Sequence, residues 1–271
     1  MGKFDNIAIL SDVDKTFLDD RSKVVKRNIE AIEYFKSEGG LFTLSTGRLH
    51  FNLDSIIPGL QSLVNAPALM CNGTYFYDFA ENKTYKETFI DADLAYKTVK
   101  FVHNLNMVRA IRGSAKNGYV IDSPESKAAD ALRRFGISAI ICAPFEEWDT
   151  GDFYKLAFVD EPQTLAKLED ILKKEFPNRY EYNRSSPTQL ELQEKGVNKA
   201  RLIPLFKEMY AKQGRHLTVY ACGDNENDLA MLKAADVAVC PSNAIDEVKA
   251  ICDKCLCSNN EGVIAGLIES L

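Results

Sequence analysis

Short apolar runs of strand length, each followed by a segment of helical spacing, occupy both ends of the chain. The first is Ile7-Ala8-Ile9-Leu10, within a predicted strand over 6–12; behind it Val25, Ile29, Ile32 and Phe35 recur at helical spacing until Gly39-Gly40 closes the helix. LFTLS reads as a second strand ending in Thr46-Gly47-Arg48. A short helical segment then reaches Pro58, and ALMC leads through Asn72-Gly73 into YFYDF as a strand and hairpin. The far end repeats the rhythm. A helix carrying Leu202, Leu205, Phe206 and Met209 precedes the strand LTVYACGD, the helix NDLAMLKAAD, the strand VAVC and a last helix in GVIAGLIESL. Strands alternating with helices join by right-handed crossovers, which gives a parallel sheet with helices on both faces.

The middle of the chain departs from this pattern. From about Thr84 to Pro187 the candidate strands VRAIR, GYVID, FYKLAFVD and RYEYN alternate polar with apolar residues, as in a sheet with one exposed face, and predicted helices at 91–105 and 162–176 interleave with them. The expected organisation is an α/β core, a doubly wound Rossmann-like parallel sheet, formed by 1–84 and 188–271. An α+β domain, 85–187, is inserted into it, with crossings near Tyr85 and in the polar stretch NRSSPTQ. The 271 residues suit one large or two modest domains. No internal repeat or low-complexity segment interrupts them.

Charge and cysteine usage narrow the function classes. A formal net charge of −6, with no segregated Lys/Arg run, argues against nucleic acid as a partner. No apolar run approaches the roughly 20 residues of a membrane span, and MGKFDNIAIL has no signal-peptide h-region. Asn6 stands where a myristoylation motif needs Ser or Thr, so the expected location is cytoplasmic, without membrane association. The cysteines number seven, an odd count, and most lie in apolar runs, as expected for buried free thiols in a reducing compartment. CDKCLC contains a C-x2-C spacing but has no second pair or matching histidines, so packing rather than zinc is expected there. No exposed apolar stripe marks an oligomer interface.

Two acidic clusters carry the chemistry. In SDVDKTFLDD, Asp12 and Asp14 are two apart, so that while strand geometry persists both carboxyls project to one side and repel unless a cation or a shared proton intervenes. Asp19 and Asp20 read as solvated. In GDNENDLAML, Asp224 again follows an apolar strand; Asn227 or Asp228 can cap the next helix, which leaves Asp224 unexplained. Ligand sites of doubly wound sheets lie beyond the carboxyl ends of the strands, where Asp12, Asp14 and Asp224 can converge, and a set of hard oxygen ligands suits Mg2+. Thr46 and the Gly47 amide can hold phosphate oxygens in the same layer, with Arg48 for charge. Lys199 lies at a predicted helix N-terminus, where a cation implies a nearby anion.

The order strand-DxD, strand-TG, Lys199 and strand-GDNEND, with Asn72-Gly73, AMLKAADVAV and the closing SNNEGV, resembles the haloacid dehalogenase (HAD) superfamily of phosphatases, in particular its Cof-type members with a class IIB cap. The resemblance covers nearly the full chain. It implies a phosphoric monoester hydrolase in which Asp12 is the nucleophile, Asp14 the general acid and base, and Mg2+ is held by the Asp12 carboxylate, the Asp14 main-chain carbonyl and Asp224. Thr46, Gly47 and Lys199 would stabilise the transferring phosphoryl oxygens, with Asn227 near the phosphate. Thr16 would fix the loop, and Asp228 would orient Lys199 or a metal-bound water. The insert would be the cap, with Arg112, Lys116, Asn117 and Tyr119 as candidates for selecting the substrate. Lys15 replaces the family's usual Gly after the second Asp, and Asn198-Lys199-Ala200 replaces SKG. The expected partner is a small phosphorylated substrate, sugar phosphates being the class the family favours. A phosphomutase on the same scaffold, a phospho-acceptor domain and a non-catalytic metabolite-binding protein are the alternatives.

Overall fold

The computed structural model describes all residues except Met1, Asp54, Ser55, Phe135, Gly136 and Ser138, and in one helix leaves the side chains of Lys127, Ala131 and Arg134 undescribed. β1 (Ile7–Ser11) is followed by α1 (Lys26–Ser37), β2 (Leu41–Leu44) and the short α2 (Leu60–Leu63). An antiparallel ribbon then comprises β3 (Ala68–Met70), β4 (Tyr75–Asp78) and β5 (Lys83–Tyr85). The middle of the chain contains α3 (Ala92–Leu105), β6 (Ala110–Ala115), β7 (Gly118–Ile121), α4 (Lys127–Arg134), β8 (Ile140–Cys142), β9 (Phe153–Val159), α5 (Pro162–Glu175), β10 (Tyr180–Ser186) and β11 (Gln189–Glu194). The last part contains α6 (Leu202–Ala211), β12 (Thr218–Cys222), α7 (Leu229–Ala234), β13 (Val237–Pro241), α8 (Asp246–Lys249), β14 (Lys254–Leu256) and α9 (Val263–Glu269). No helix among the described residues is long and apolar enough to cross a membrane.

These elements divide into two compact units, Met1–Glu87 with Asn198–Leu271, and Thr88–Val197. In the first, a wholly parallel sheet has the order β14-β13-β12-β1-β2. Its inner strands are nearly all apolar because both faces are covered: Leu10, Val219 and Ala221 pack with Phe206 of α6 and Met231 of α7, while α1 and α9 pack together. β1 is an inner strand between β12 and β2, with Ser11 opposite both Cys222 and Leu44. The chain segments leaving β1, β2 and β12 therefore emerge side by side at one edge of the sheet.

The second unit is a six-stranded sheet of order β10-β11-β9-β6-β7-β8. Leu94, Val99 and Val102 of α3 and Leu165, Leu168 and Leu172 of α5 share a core with Leu156, Phe158, Leu190 and Leu192 of the sheet. Asp91 caps α3 by accepting the Leu94 N–H at 2.8 Å. The alternate residues of the same strands are polar yet buried: Lys155 and Glu191 form an ion pair of 2.7 Å, and Asn183 donates to Gln193 at 2.9 Å.

That buried polar row accounts for a shifted boundary. Residues 188–197, expected in the core unit, belong to the second, because β11 pairs with both β9 and β10. QLELQE alternates well, but its polar side is enclosed by ion pairs and amides where the pattern suggests solvent. The short elements α4, β8 and β14 also go beyond the sequence reading, and Cys142 and Cys255, expected buried, are exposed on β8 and β14.

Removing one member of the buried pair strands the other charge. Glu191→Leu should lower the unfolding free energy by about 3 kcal/mol, and the double variant Lys155→Met/Glu191→Leu should recover most of that, as measured by urea denaturation.

Candidate active site

Asp12 is the first residue beyond β1, and its N–H donates to the Cys222 carbonyl at 2.8 Å, so it leaves the sheet against the end of β12. Asp224 is two residues beyond that same Cys222. The chain then abandons extended geometry. Val13–Phe17 forms a π-type turn in which Lys15 adopts φ 57°, a left-handed conformation that costs a side-chain-bearing residue about 1 kcal/mol. The turn brings the buried Thr16 back to the site, where its hydroxyl donates to Asp224 Oδ1 at 2.8 Å.

Lys199, wholly buried in the turn before α6, donates from Nζ to Asp12 Oδ1 and to Asp228 Oδ1, both at 2.6 Å. Asp228 is itself fixed: its Oδ2 accepts the N–H groups of Asp224 and Asn225 at 3.0 and 3.2 Å. Asp228 occupies the N-cap position of α7, as expected, but makes no side-chain capping bond there; the side-chain cap of the preceding turn is Asn225, in a capping box whose fourth position is Asp228. Gly223 is required by this packing, since a Cβ there would lie 2.5 Å from the Asp228 carboxyl carbon.

The carboxylates of Asp12, Asp224 and Asp228 offer oxygens within 4.8 Å of one another, all three buried. Burial, reinforced by the neighbouring acids, raises the Asp12 carboxyl well above the usual range and the Asp224 carboxyl to about 7. Burial alone would lower the Lys199 ammonium, but Asp12 and Asp228 outweigh it and hold it above its ordinary value. One ammonium among three carboxylates leaves the cluster short of positive charge. Its donor set is entirely hard oxygen, which fits a divalent cation of the magnesium or calcium type.

The structure places the remaining expected residues as follows. Asp14 does not join the carboxylate cluster; its half-exposed side chain is held by Arg48, Nε to Oδ2 at 2.8 Å and Nη2 to Oδ1 at 2.6 Å. The expectation that Asp12 and Asp14 project together fails because strand geometry ends at Asp12, and the third clustered carboxylate is Asp228. Arg48 accordingly lies on Asp14. Thr46 is buried beyond β2, its hydroxyl accepting the Arg48 N–H at 3.2 Å. A Cβ at Gly47 would lie 2.8 Å from Asn72 Oδ1, and Asn227 Nδ2 donates to that same oxygen at 3.4 Å. Asn72 is therefore part of this edge. It is buried with φ 54°, and its N–H donates to the Thr46 carbonyl at 2.8 Å; the Asn-Gly pair is its sequence signal.

The loop beyond Asp12 is stapled by asparagines that charge patterning did not reveal. Asn243 Nδ2 donates to the Lys15 carbonyl at 2.9 Å, and Asn259 Nδ2 donates to the Leu18 carbonyl and to Asp20 Oδ1, both at 3.1 Å. Asn260 binds Asp20 from both sides, its Nδ2 donating to Oδ2 at 2.8 Å and its Oδ1 accepting the Asp20 N–H at 3.0 Å. Asp20 is exposed, as expected, and it also anchors Asn260 and Asn259, whose hydrogen bonds hold its carboxyl below the usual range. Asp19 accepts the N–H groups of Arg21 and Lys23 and shapes the turn. In the second unit, the Arg112 guanidinium lies 5.0 Å from the centre of the Tyr119 ring.

With this geometry, comparisons with known proteins are informative. A family profile described as haloacid dehalogenase-like hydrolase matches residues 9–268. Pyridoxal phosphate phosphatase YbhA of Escherichia coli strain K12 is 27% identical over 97% of each chain. The 5-amino-6-(5-phospho-D-ribitylamino)uracil phosphatase YwtE of Bacillus subtilis strain 168 is 25% identical, again over 97% of both. The fold is shared with a haloacid dehalogenase-like hydrolase from Bacteroides thetaiotaomicron, at a TM-score of 0.81 and 22% identity over 98% of this chain and 99% of that one.

Two outcomes follow from the crowded carboxylates and the strained turn. With Asp224 titrating at about 7 in the folded state, the native protein keeps a proton that the unfolded chain has released. Without divalent ions, stability should therefore fall as pH rises from about 4 to about 7, and added magnesium should raise the urea midpoint more at about pH 7.5 than at about pH 5. Lys15→Val should cost about 1 kcal/mol or more because a β-branched residue resists positive φ, whereas Lys15→Gly should leave the thermal midpoint nearly unchanged.

Proposed function

The chain belongs to the haloacid dehalogenase-like hydrolases, a premise from which we propose that it is a magnesium-dependent phosphatase of small phosphorylated metabolites, sugar phosphates foremost, working through an aspartyl-phosphate on Asp12. The observation that carries this reading is the Asp12 carboxylate, held by the buried Lys199 ammonium at the carboxyl end of β1 beside Asp224 and Asp228. A carboxylate fixed in orientation and set beside a permanent cation is suited to attack phosphorus in line, since the cation offsets repulsion from the phosphate dianion.

Asp12 forms the new O–P bond as the ester oxygen leaves. Asp14, two residues on and accessible to solvent, gives that oxygen a proton and in the second half-reaction takes one from the water that hydrolyses the acyl phosphate. Arg48 presents Asp14 by a two-pronged hydrogen bond and must yield at least one of those contacts as the proton moves. Thr46, the Gly47 amide and Lys199 receive the phosphoryl oxygens, with Asn227 and Asn72 bordering them. Thr16 keeps Asp224 in place, and Asp228 keeps Lys199 in place. Magnesium, which Asp12, Asp224 and the Asp14 carbonyl would hold, supplies further charge neutralisation at the phosphate. Two full-length relatives named as phosphatases of unlike compounds support a shared phosphoryl chemistry with a variable leaving group.

A panel of phosphorylated sugars, nucleotides and cofactors, assayed for phosphate release with and without magnesium, tests the reading. Several should turn over, and chelation should abolish release. Asp12→Asn should lower kcat by at least about 10³-fold, because an amide is a poor nucleophile and a neutral ligand. Near-normal activity in that variant would refute covalent catalysis, and phosphate reappearing at another position of the sugar would mark a mutase. Asp228→Asn, which leaves the nucleophile intact, should cost about 10- to 100-fold with the circular dichroism spectrum retained.

A further inference from the structure

The cysteines of the C-terminal part take no role in this chemistry, yet they are not scattered. Cys240 of β13 and Cys255 of β14 are direct partners across two parallel strands. Paired residues of neighbouring strands project to the same face, and the strand spacing of about 4.8 Å lies within the range of about 4.4–6.8 Å between Cα atoms that a disulfide spans. Cys240 is fully buried in the core of the first unit, Cys252 packs half-buried against that core, and Cys255 is exposed. Burial, together with the adjacent Cys252 and Cys255 thiols, holds the Cys240 thiol above its ordinary value. An oxidant therefore meets Cys255 first, with Cys240 waiting behind it.

We propose that Cys240 and Cys255 are an oxidisable dithiol, a modification site that closes to a disulfide when a hydroperoxide reaches Cys255. In the first step the Cys255 sulfur attacks the peroxide O–O bond; sulfur is oxidised to sulfenic acid and the peroxide is reduced to an alcohol, or to water for hydrogen peroxide. In the second, the Cys240 sulfur attacks the sulfenic sulfur, the S–S bond forms, the S–O bond breaks and water leaves with the Cys240 proton. The bond would link the edge strand β14 to β13. Beyond β13 the chain supplies two supports of the acidic cluster: Asn243 on the Lys15 carbonyl, and the Ile245 N–H on the Asp224 carbonyl at 3.0 Å.

The test is graded hydrogen peroxide on the full-length protein, followed by alkylation, intact mass and peptide mapping. The expected result is a mass loss of about 2 Da, reversed by dithiothreitol, with the Cys240 and Cys255 peptides joined. The link should vanish in Cys255→Ser, a change at an exposed position that leaves the fold intact, and persist in Cys142→Ser, which removes the exposed cysteine of β8. Oxidation of Cys255 to sulfinic or sulfonic acid without the link would overturn the proposal. So would a link to Cys252 in place of Cys255, or one between two chains.

Discussion

One fully buried ammonium organises the first unit's functional edge. Lys199 is removed from water altogether, and a charge in that position is costly unless anions are paired with it. Asp12 and Asp228 meet it at 2.6 Å, so three segments remote in sequence, the exit of β1, the turn before α6 and the start of the helical stretch after β12, are tied to one nitrogen. Their convergence follows from strand order. β1 sits beside β12 in parallel register, so Asp12 and Asp224 leave the sheet at the same level. The Asp12 N–H on the Cys222 carbonyl removes the remaining freedom.

The same bonds explain why these acids can be buried without being satisfied. Lys199 compensates parts of Asp12 and Asp228, and Thr16 and two main-chain N–H groups take further oxygens, but among the described residues Asp224 gains a side-chain hydrogen bond from the Thr16 hydroxyl alone. Burial then raises Asp12 and Asp224 together. A purely structural network would be expected to use one fewer acid or one more base. The imbalance is one that a divalent cation bound among these carboxylates could offset.

Much of this was legible in the sequence wherever a residue's environment follows from its position at a strand end. Asp12 and Asp224 each follow an apolar run, and Thr46 and Gly47 do likewise, so their common edge could be read from α/β alternation alone. Legibility ended where the backbone left regular geometry. Strand pairing stops at Ser11, Val13–Phe17 winds into a turn with Lys15 at positive φ, and the Asp14 carboxylate lies on Arg48, so no alternation rule carries across the segment. Asp228 could be assigned to Lys199, yet its membership of the carboxylate cluster depended on the Asn225 capping box, one position choice among several acidic and amide residues. The inserted unit hid its last strand for a related reason: polarity in β11 signals solvent by composition, while Lys155 and its neighbours make the same residues an interior row.

The asparagine staple shows how strain in the loop after β1 is sustained. A lysine in the left-handed region would relax if its carbonyl were free to rotate, but Asn243 holds that carbonyl, and the Asn259 N–H donates to the Asn243 Oδ1 at 2.9 Å. Asn259 in turn holds Leu18 and Asp20, so the turn and the short bridge between Leu18 and Val24 are clamped at both ends. These contacts come from the segment after β13 and from the SNNEG stretch before α9, far from Lys15 in sequence. A conformation that glycine would adopt at little cost is here enforced by tertiary hydrogen bonds. The left-handed turn at Lys15 is thus held by asparagines remote from it in sequence.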